Sequence, residues 1–483
     1  MAGIGFELRK LHRKEGIVEN IKAYTYSSMT TIGPMILCIL LVIVQQQMMG
    51  ANDSSFLDRQ LFISTMTYCF VFSIMFTCGL NMVLTRHVAD MLYQKKYEQI
   101  ISSFYGALII ILPIAGITTG LFLYGIDESL GYKISAYIFF IELIIIWVQN
   151  VYMSALKDYK RIVRGFAIGV LISTIVSYIA FNFTSLTPTI SSLVGMDAGF
   201  LVIVSLGMYH FEQVFPRNKK RNYFAFISIF RKYPVIFFSG FFLYSSVYVH
   251  NFMYWLFSDQ KVDGFLLAPF YDLPVFFAYL SVVPSLVLFV IVVETDFYES
   301  FVNYYKNVLN GGTYKSMNTA KTKMQSVLIH RIGFLVEVQL LFTALSIAVG
   351  IIYLPKVGFS MEQLDLYILL CLGYFFFIIT FVMIHTLMYF DDRKGVVIIS
   401  TLYFMLNGIF TIVTIQAGID GLGLFISSFI VLVCTIVRML YVLSHIDYYT
   451  FLSQRSTIKS MKTKKKSMLS LFGTKITNKT KEI

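Results

Sequence analysis

The chain has 483 residues and a net charge of +12, and it is 57% hydrophobic but only 14% charged. A soluble protein carries about 25% charged residues, so this composition, with a mean hydropathy of +0.71, excludes a water-covered globule and points to lipid as the solvent. The positive charge does not indicate nucleic acid, because nearly all of it lies in loops between greasy stretches, and the five cysteines lie inside those stretches without metal or disulfide spacing.

Residues 1–22 are charged and lack the short apolar core and cleavage pattern of a secretory signal. Ile4, Leu8 and Leu11 fall at helical spacing with Arg9, Lys10, Arg13 and Lys14 on the other faces, which fits a helix on the membrane surface or a charged topology anchor. Twelve hydrophobic spans follow, at 24–49, 61–84, 100–125, 134–156, 165–184, 194–211, 234–257, 268–293, 332–354, 366–389, 396–416 and 422–443. The sixth is the weakest, being short and holding Asp197. Charge supports the count. Of the 39 Lys and Arg, 34 fall in the segments that alternate with the amino terminus, whereas the opposite loops hold only Arg59, Lys133, Lys261 and Lys356. The positive-inside rule then places both termini in the cytoplasm. A central loop, 212–233, divides the spans six and six and carries Arg217, Lys219, Lys220, Arg221, Arg231 and Lys232. Residues 294–331 read as one or two amphipathic helices broken at Gly311-Gly312, and the tail 444–483 carries nine basic residues suited to anionic lipid.

The opening MAGIGFELRKL, followed by Gly33-Pro34 in the first span, resembles the PelG family of Pel exopolysaccharide membrane transporters. The specific part is the first dozen residues; over the rest of the chain, size, span count and the basic central loop agree. The resemblance implies an all-α integral membrane fold of the polysaccharide-transporter and multidrug-exporter superfamily (MATE/flippase-like), with two six-helix bundles around a central cavity. On that fold, 1–211 is the first bundle, 212–233 a basic linker, 234–443 the second bundle including 294–331, and 444–483 a cytoplasmic tail. It also implies a polysaccharide substrate rich in N-acetylgalactosamine, partly deacetylated. The implied partners are a PelF-like glycosyltransferase, a PelD-like cyclic-di-GMP receptor and a PelE-like membrane protein.

Ionisable groups inside spans cost about 2.5–3.5 kcal/mol each on insertion scales unless they face protein or water, so they are the best functional pointers. Glu142, Asp272 and Glu337 are the candidates for a translocation path or coupling site, with His250 and Asn150 as further polar lining. Asp197 lies close to an outer boundary, and Arg438 is near enough to a span end to snorkel. Span eight holds Pro269, Pro274 and Pro284, so it is expected to be a broken helix around Asp272; Gly33 and Pro34 are a further candidate bend. Arg217, Lys219, Lys220 and Arg221 are expected to meet lipid or a partner. Asp391-Asp392 reads as loop punctuation. There is no phosphate-binding GxxxxGK[ST] stretch, and neither an enzyme site, a cofactor nor a metal is expected.

These observations favour export of a Pel-type exopolysaccharide across the plasma membrane for a biofilm matrix. The alternatives are a lipid-linked oligosaccharide flippase, a cation-coupled multidrug exporter of the same fold, or a membrane scaffold that recruits the synthase. A pyrophosphate-linked substrate calls for cavity Arg or Lys, whereas the deep charges here are acidic.

Overall fold

A computed structural model describes residues 32–156, 159–215, 222–258, 261–262, 264–291 and 297–452. Arg217, Lys219, Lys220 and Arg221, the amphipathic opening segment and the tail from 453 lie outside the described residues. The first half consists of six long helices: α1 (Gly33–Ala51), α2 (Phe56–Tyr93), α3 (Glu98–Tyr124), α4 (Leu130–Leu156), α5 (Tyr159–Phe183) and α6 (Pro188–Val214). After a short helix α7 (Ile227–Lys232), the second half runs through α8 (Pro234–Ser245), α9 (Val249–Phe257), a two-stranded hairpin, α10 (Pro269–Leu280), α11 (Val283–Ile291) and α12 (Tyr298–Leu309). It ends with α13 (Tyr314–Tyr353), α14 (Met361–Tyr389), α15 (Arg393–Gln416) and α16 (Leu422–Ser444). Strands β1 (Lys261–Val262) and β2 (Phe265–Leu266) pair antiparallel, with Val262 opposite Phe265.

Among the described residues eleven helices are long and apolar enough to cross a membrane, and the bent pair α8–α9 makes a twelfth span. The twelve spans expected from hydropathy are therefore present, although several ends differ; α2, for example, runs Phe56–Tyr93 where 61–84 is expected. Span six begins at Pro188 rather than 194, because Thr189, Ser191 and Ser192 at its start are buried against neighbouring helices rather than exposed as loop. Span nine is the inner part of a 40-residue helix, α13, whose polar first turns start at a Thr313 cap. At about 60 Å it is twice the thickness of a hydrocarbon core, so the second amphipathic segment continues without a break into the membrane. The first is α12, and Gly311, at φ +69°, makes the turn between them.

Two hydrophobic cores hold the chain, one drawn chiefly from α1–α6 and the other from α8–α16. The division is not clean. Phe226 and Ile229 of the linker, and Val262, Phe265 and Leu267 around the hairpin, pack into the first core. The linker is seated by a close approach, with the Tyr223 carbonyl resting where Gly106 of α3 has no Cβ. The tightest helix pair is α5 with α6. A Cβ on Gly199 would come within 2.5 Å of the Gly169 carbonyl and 2.6 Å of the Ser173 Cβ. Small residues four apart, Gly169, Ser173 and Ser177 against Gly195 and Gly199, allow that contact, which in lipid must come from van der Waals packing rather than a hydrophobic drive. Gln45 of α1 donates across to Ser177 Oγ at 2.7 Å and ties the first helix to this pair.

Candidate functional site

In the first half two carboxylates approach each other. Glu142 lies at the middle of α4, buried, and its Oε2 has no hydrogen-bond partner. Asp197 comes from α6, close enough that its charge acts on Glu142 and on Cys69 of α2. Asp197 accepts a bond from Ser135 of α4, while its Oδ1 is unpartnered. Among the described residues no Lys or Arg acts on the charge of either acid. Two like charges in a low-dielectric interior repel strongly, and a proton or a bound cation relieves that repulsion. The arrangement can therefore hold and release a positive charge. Among the described residues no group of three or more His, Cys, Asp or Glu could hold a metal ion.

In the second half the polar groups of Asp272 and His250 are satisfied instead. Asp272, in the first turn of α10, accepts from Asn251 Nδ2 (2.9 Å), from Trp255 Nε1 (3.0 and 2.8 Å to its two oxygens) and from the Ala268 N–H (3.2 Å). It thereby pins α9 to α10. His250 is fully buried between Tyr271 and Tyr374, with ring nitrogens 2.9 and 3.3 Å from their hydroxyls. Tyr254 stacks on Tyr271 and donates to Asp420 at 2.8 Å.

Both spans that carry this network are broken, and each break is mended by a buried amide. Between α8 and α9 the chain bends by 53°, and Asn407 of α15 donates to the freed Ser246 carbonyl at 2.9 Å. Between α10 and α11 Gln339 of α13 donates to the Ser281 carbonyl at 3.2 Å. Asn407 and Gln339 are both fully buried. Backbone freed at membrane depth must be satisfied by protein or water, and these two side chains do so.

The halves meet at the hairpin. The Tyr68 hydroxyl of α2 donates to the Leu266 carbonyl (2.8 Å) and accepts from the Leu266 N–H (2.9 Å). Its ring stacks on Trp255 at 5.0 Å, and Phe72 stacks on Phe252 at 5.5 Å. An aromatic seal thus closes the cleft at this level.

Comparison with known proteins agrees with this architecture. A family model described as "PelG: Putative exopolysaccharide Exporter (EPS-E)" matches residues 1–451. The chain belongs to the PelG family. Curated proteins give no match to it. Among solved structures, an outward-facing multidrug resistance MATE family transporter of the MOP superfamily superposes with a TM-score of 0.60 at 13% identity, over 94% of this chain and 100% of that one. The eukaryotic MATE transporter AtDTX14 gives 0.57 at 13% identity, over 87% and 95%. A MOP superfamily transporter from Pyrococcus furiosus Vc1, described as having a binding pocket of reverse polarity, gives 0.57 at 13%, over 89% and 96%. This PelG-family chain is thus a multi-pass integral membrane protein with the MATE-type transporter fold.

Within the PelG frame, the sequence-picked residues do not converge on one place. Glu142 meets Asp197, which hydropathy had put near a boundary but which lies well inside α6. Asp272 and His250 share the second-half network. Asn150 is half-buried eight residues beyond Glu142 on α4, about 12 Å along the helix. Glu337 is exposed on α13, apart from both clusters. Pro269 and Pro284 occupy first turns of α10 and α11, whereas α10 continues through Pro274. Gly33 and Pro34 stand at the start of α1. Sequence reading passed over Asn407, Gln339 and Tyr68, whose partners are 161, 58 and 198 residues away.

Proposed function

We propose that this chain exports a Pel-type exopolysaccharide across the plasma membrane for a biofilm matrix, working with a cytoplasmic PelF-like glycosyltransferase and PelD-like and PelE-like membrane partners. The observation that carries the reading is the Glu142–Asp197 pair, with one unpartnered oxygen on each acid, inside a PelG-family chain of transporter fold. No ATP motif is present, so drive comes from polymerisation pushing the chain or from an ion gradient. One charge crossing 100 mV supplies about 2.3 kcal/mol, and the carboxylate pair is where such a charge would ride. The aromatic rings that meet between the halves offer flat apolar faces of the kind sugar rings stack on.

Polymer is measured inside and outside cells carrying wild type, Glu142→Gln or Asp197→Asn. Loss of a coupling of about 1–3 kcal/mol should lower extracellular polymer by about 5- to 150-fold while polymer accumulates inside. Wild-type secretion in both variants would remove the ion-coupled mechanism. Absence of polymer in both compartments would favour a scaffold that recruits the synthase. The acidic pair also suits a cation-coupled multidrug exporter; a changed resistance to cationic drugs in the same variants, with polymer secretion unaltered, would select that reading.

A further inference from the structure

Beside the aromatic seal lies a partly open cavity of about 150 Å³ lined by α2, α3, α4 and strand β2. Its wall presents no polar surface. Three of the groups that could have offered a hydrogen bond are committed elsewhere. Thr65 Oγ1 donates to the Leu61 carbonyl at 2.7 Å, Thr118 Oγ1 to the Ile114 carbonyl at 2.8 Å, and the Tyr68 hydroxyl is held by Leu266 on both counts. A sugar or a water would find no partner there, whereas dry apolar cavities of about this size in another protein take up benzene or xenon.

The cavity is also placed to meet lipid. Its α3 side belongs to a membrane-spanning helix whose other residues, Ile114, Ile117 and Leu121, are exposed (53%, 66% and 71%). Thr118 and Phe122 are at once part of this exposed face and part of the cavity wall. Acyl chains are thus the solvent at its rim.

We propose that the cavity holds the end of a lipid acyl chain, entering from the bilayer past Thr118 and Phe122. The chain end lies against Tyr68 and Phe265, the residues by which the hairpin joins the two halves. Lipid occupancy then favours the sealed arrangement, because separating the halves would strip the chain of the wall that Phe265 supplies. This inference concerns a lipid site and stands whether or not the exported substrate is a polysaccharide.

The chain contains only two tryptophans, Trp147 and Trp255. Trp255 is 4% exposed and stacks on Tyr68, so bilayer chains that remain outside the protein do not touch it. In Trp147→Phe protein reconstituted into phosphatidylcholine with brominated acyl chains, Trp255 emission should lose most of its intensity relative to unbrominated lipid. Filling the cavity from α4 with Ala136→Leu, or from α3 with Thr119→Leu, should restore it. The emission maximum in unbrominated lipid reports whether each variant keeps Trp255 buried. Equal emission in the two lipids would overturn the proposal, and so would quenching that persists in both filled variants while Trp255 stays buried.

Discussion

Arg438 shows how a single charge is settled inside a span. It forms a double hydrogen-bonded ion pair with Asp392, 2.7 Å at each contact, and a further bond to Tyr449 at 3.0 Å. Asp392 is 3% exposed and also caps the start of α15 by accepting from the Gly395 N–H. The sequence suggested a snorkelling arginine and a punctuating Asp391-Asp392. Instead the carboxylate joins the foot of α15 to the end of α16, and Asp391 pairs with Arg393 at 2.6 Å. Breaking a buried pair from one side costs about 3–5 kcal/mol, and Arg438 is partly open, so Arg438→Ala should lower stability by about 3 kcal/mol. The midpoint of thermal unfolding in detergent reads this. The double variant Arg438→Met with Asp392→Leu should recover most of the loss, and an unchanged midpoint in the single variants would show that the pair contributes nothing. Glu142 and Asp197 are the opposite case, two acids near each other with no basic partner among the described residues.

At the scale of elements, the breaks in spans seven and eight were only half readable. Three prolines marked span eight, yet the sharper bend, 53°, lies in span seven, which has no proline at its break. Proline forces a break by removing a donor; Asn407 permits one by supplying a donor to the freed Ser246 carbonyl, and that signal sits in another helix. Asn407→Leu should leave the Ser246 carbonyl unsatisfied at a cost of about 1–3 kcal/mol. The same cost is expected for Gln339→Leu at Ser281, and neither loss should be rescued by a larger apolar side chain. Denaturant or thermal midpoints would decide it, and retained wild-type stability would mean that water already serves these carbonyls. On the other side of the molecule, Gly199→Leu must push α5 from α6, with overpacking of about 1–3 kcal/mol or more. Leu at Gly358, where no atom lies within 4 Å of the added Cβ, is the spatial control, although its φ of +99° brings strain of its own.

Across the whole molecule, the Tyr68–Leu266 latch is a direct hydrogen-bonded contact between the halves. Tyr68→Phe keeps the ring stack on Trp255 but deletes both hydroxyl bonds, each worth about 0.5–1.5 kcal/mol. The native Cys69, 7% exposed next to this latch, should then be labelled several-fold faster by a thiol reagent, as resolved by mass spectrometry. An unchanged rate would mean that ring packing alone holds the seal. Neutralising Arg217, Lys219, Lys220 and Arg221 together is expected to lower export while membrane insertion persists; normal export would reduce the central loop to a topology anchor. The lone sequence was sufficient for the membrane spans and for placing Glu142 within one of them, because hydropathy and charge act residue by residue against a solvent that is the same everywhere in the bilayer. It could not supply Asp197 as the neighbour of Glu142, the amides that mend the breaks, the Asp392–Arg438 pair or the Tyr68 latch. Those contacts join residues 46 to 198 positions apart, and a polar group's partner is fixed by helix packing, to which local composition is blind.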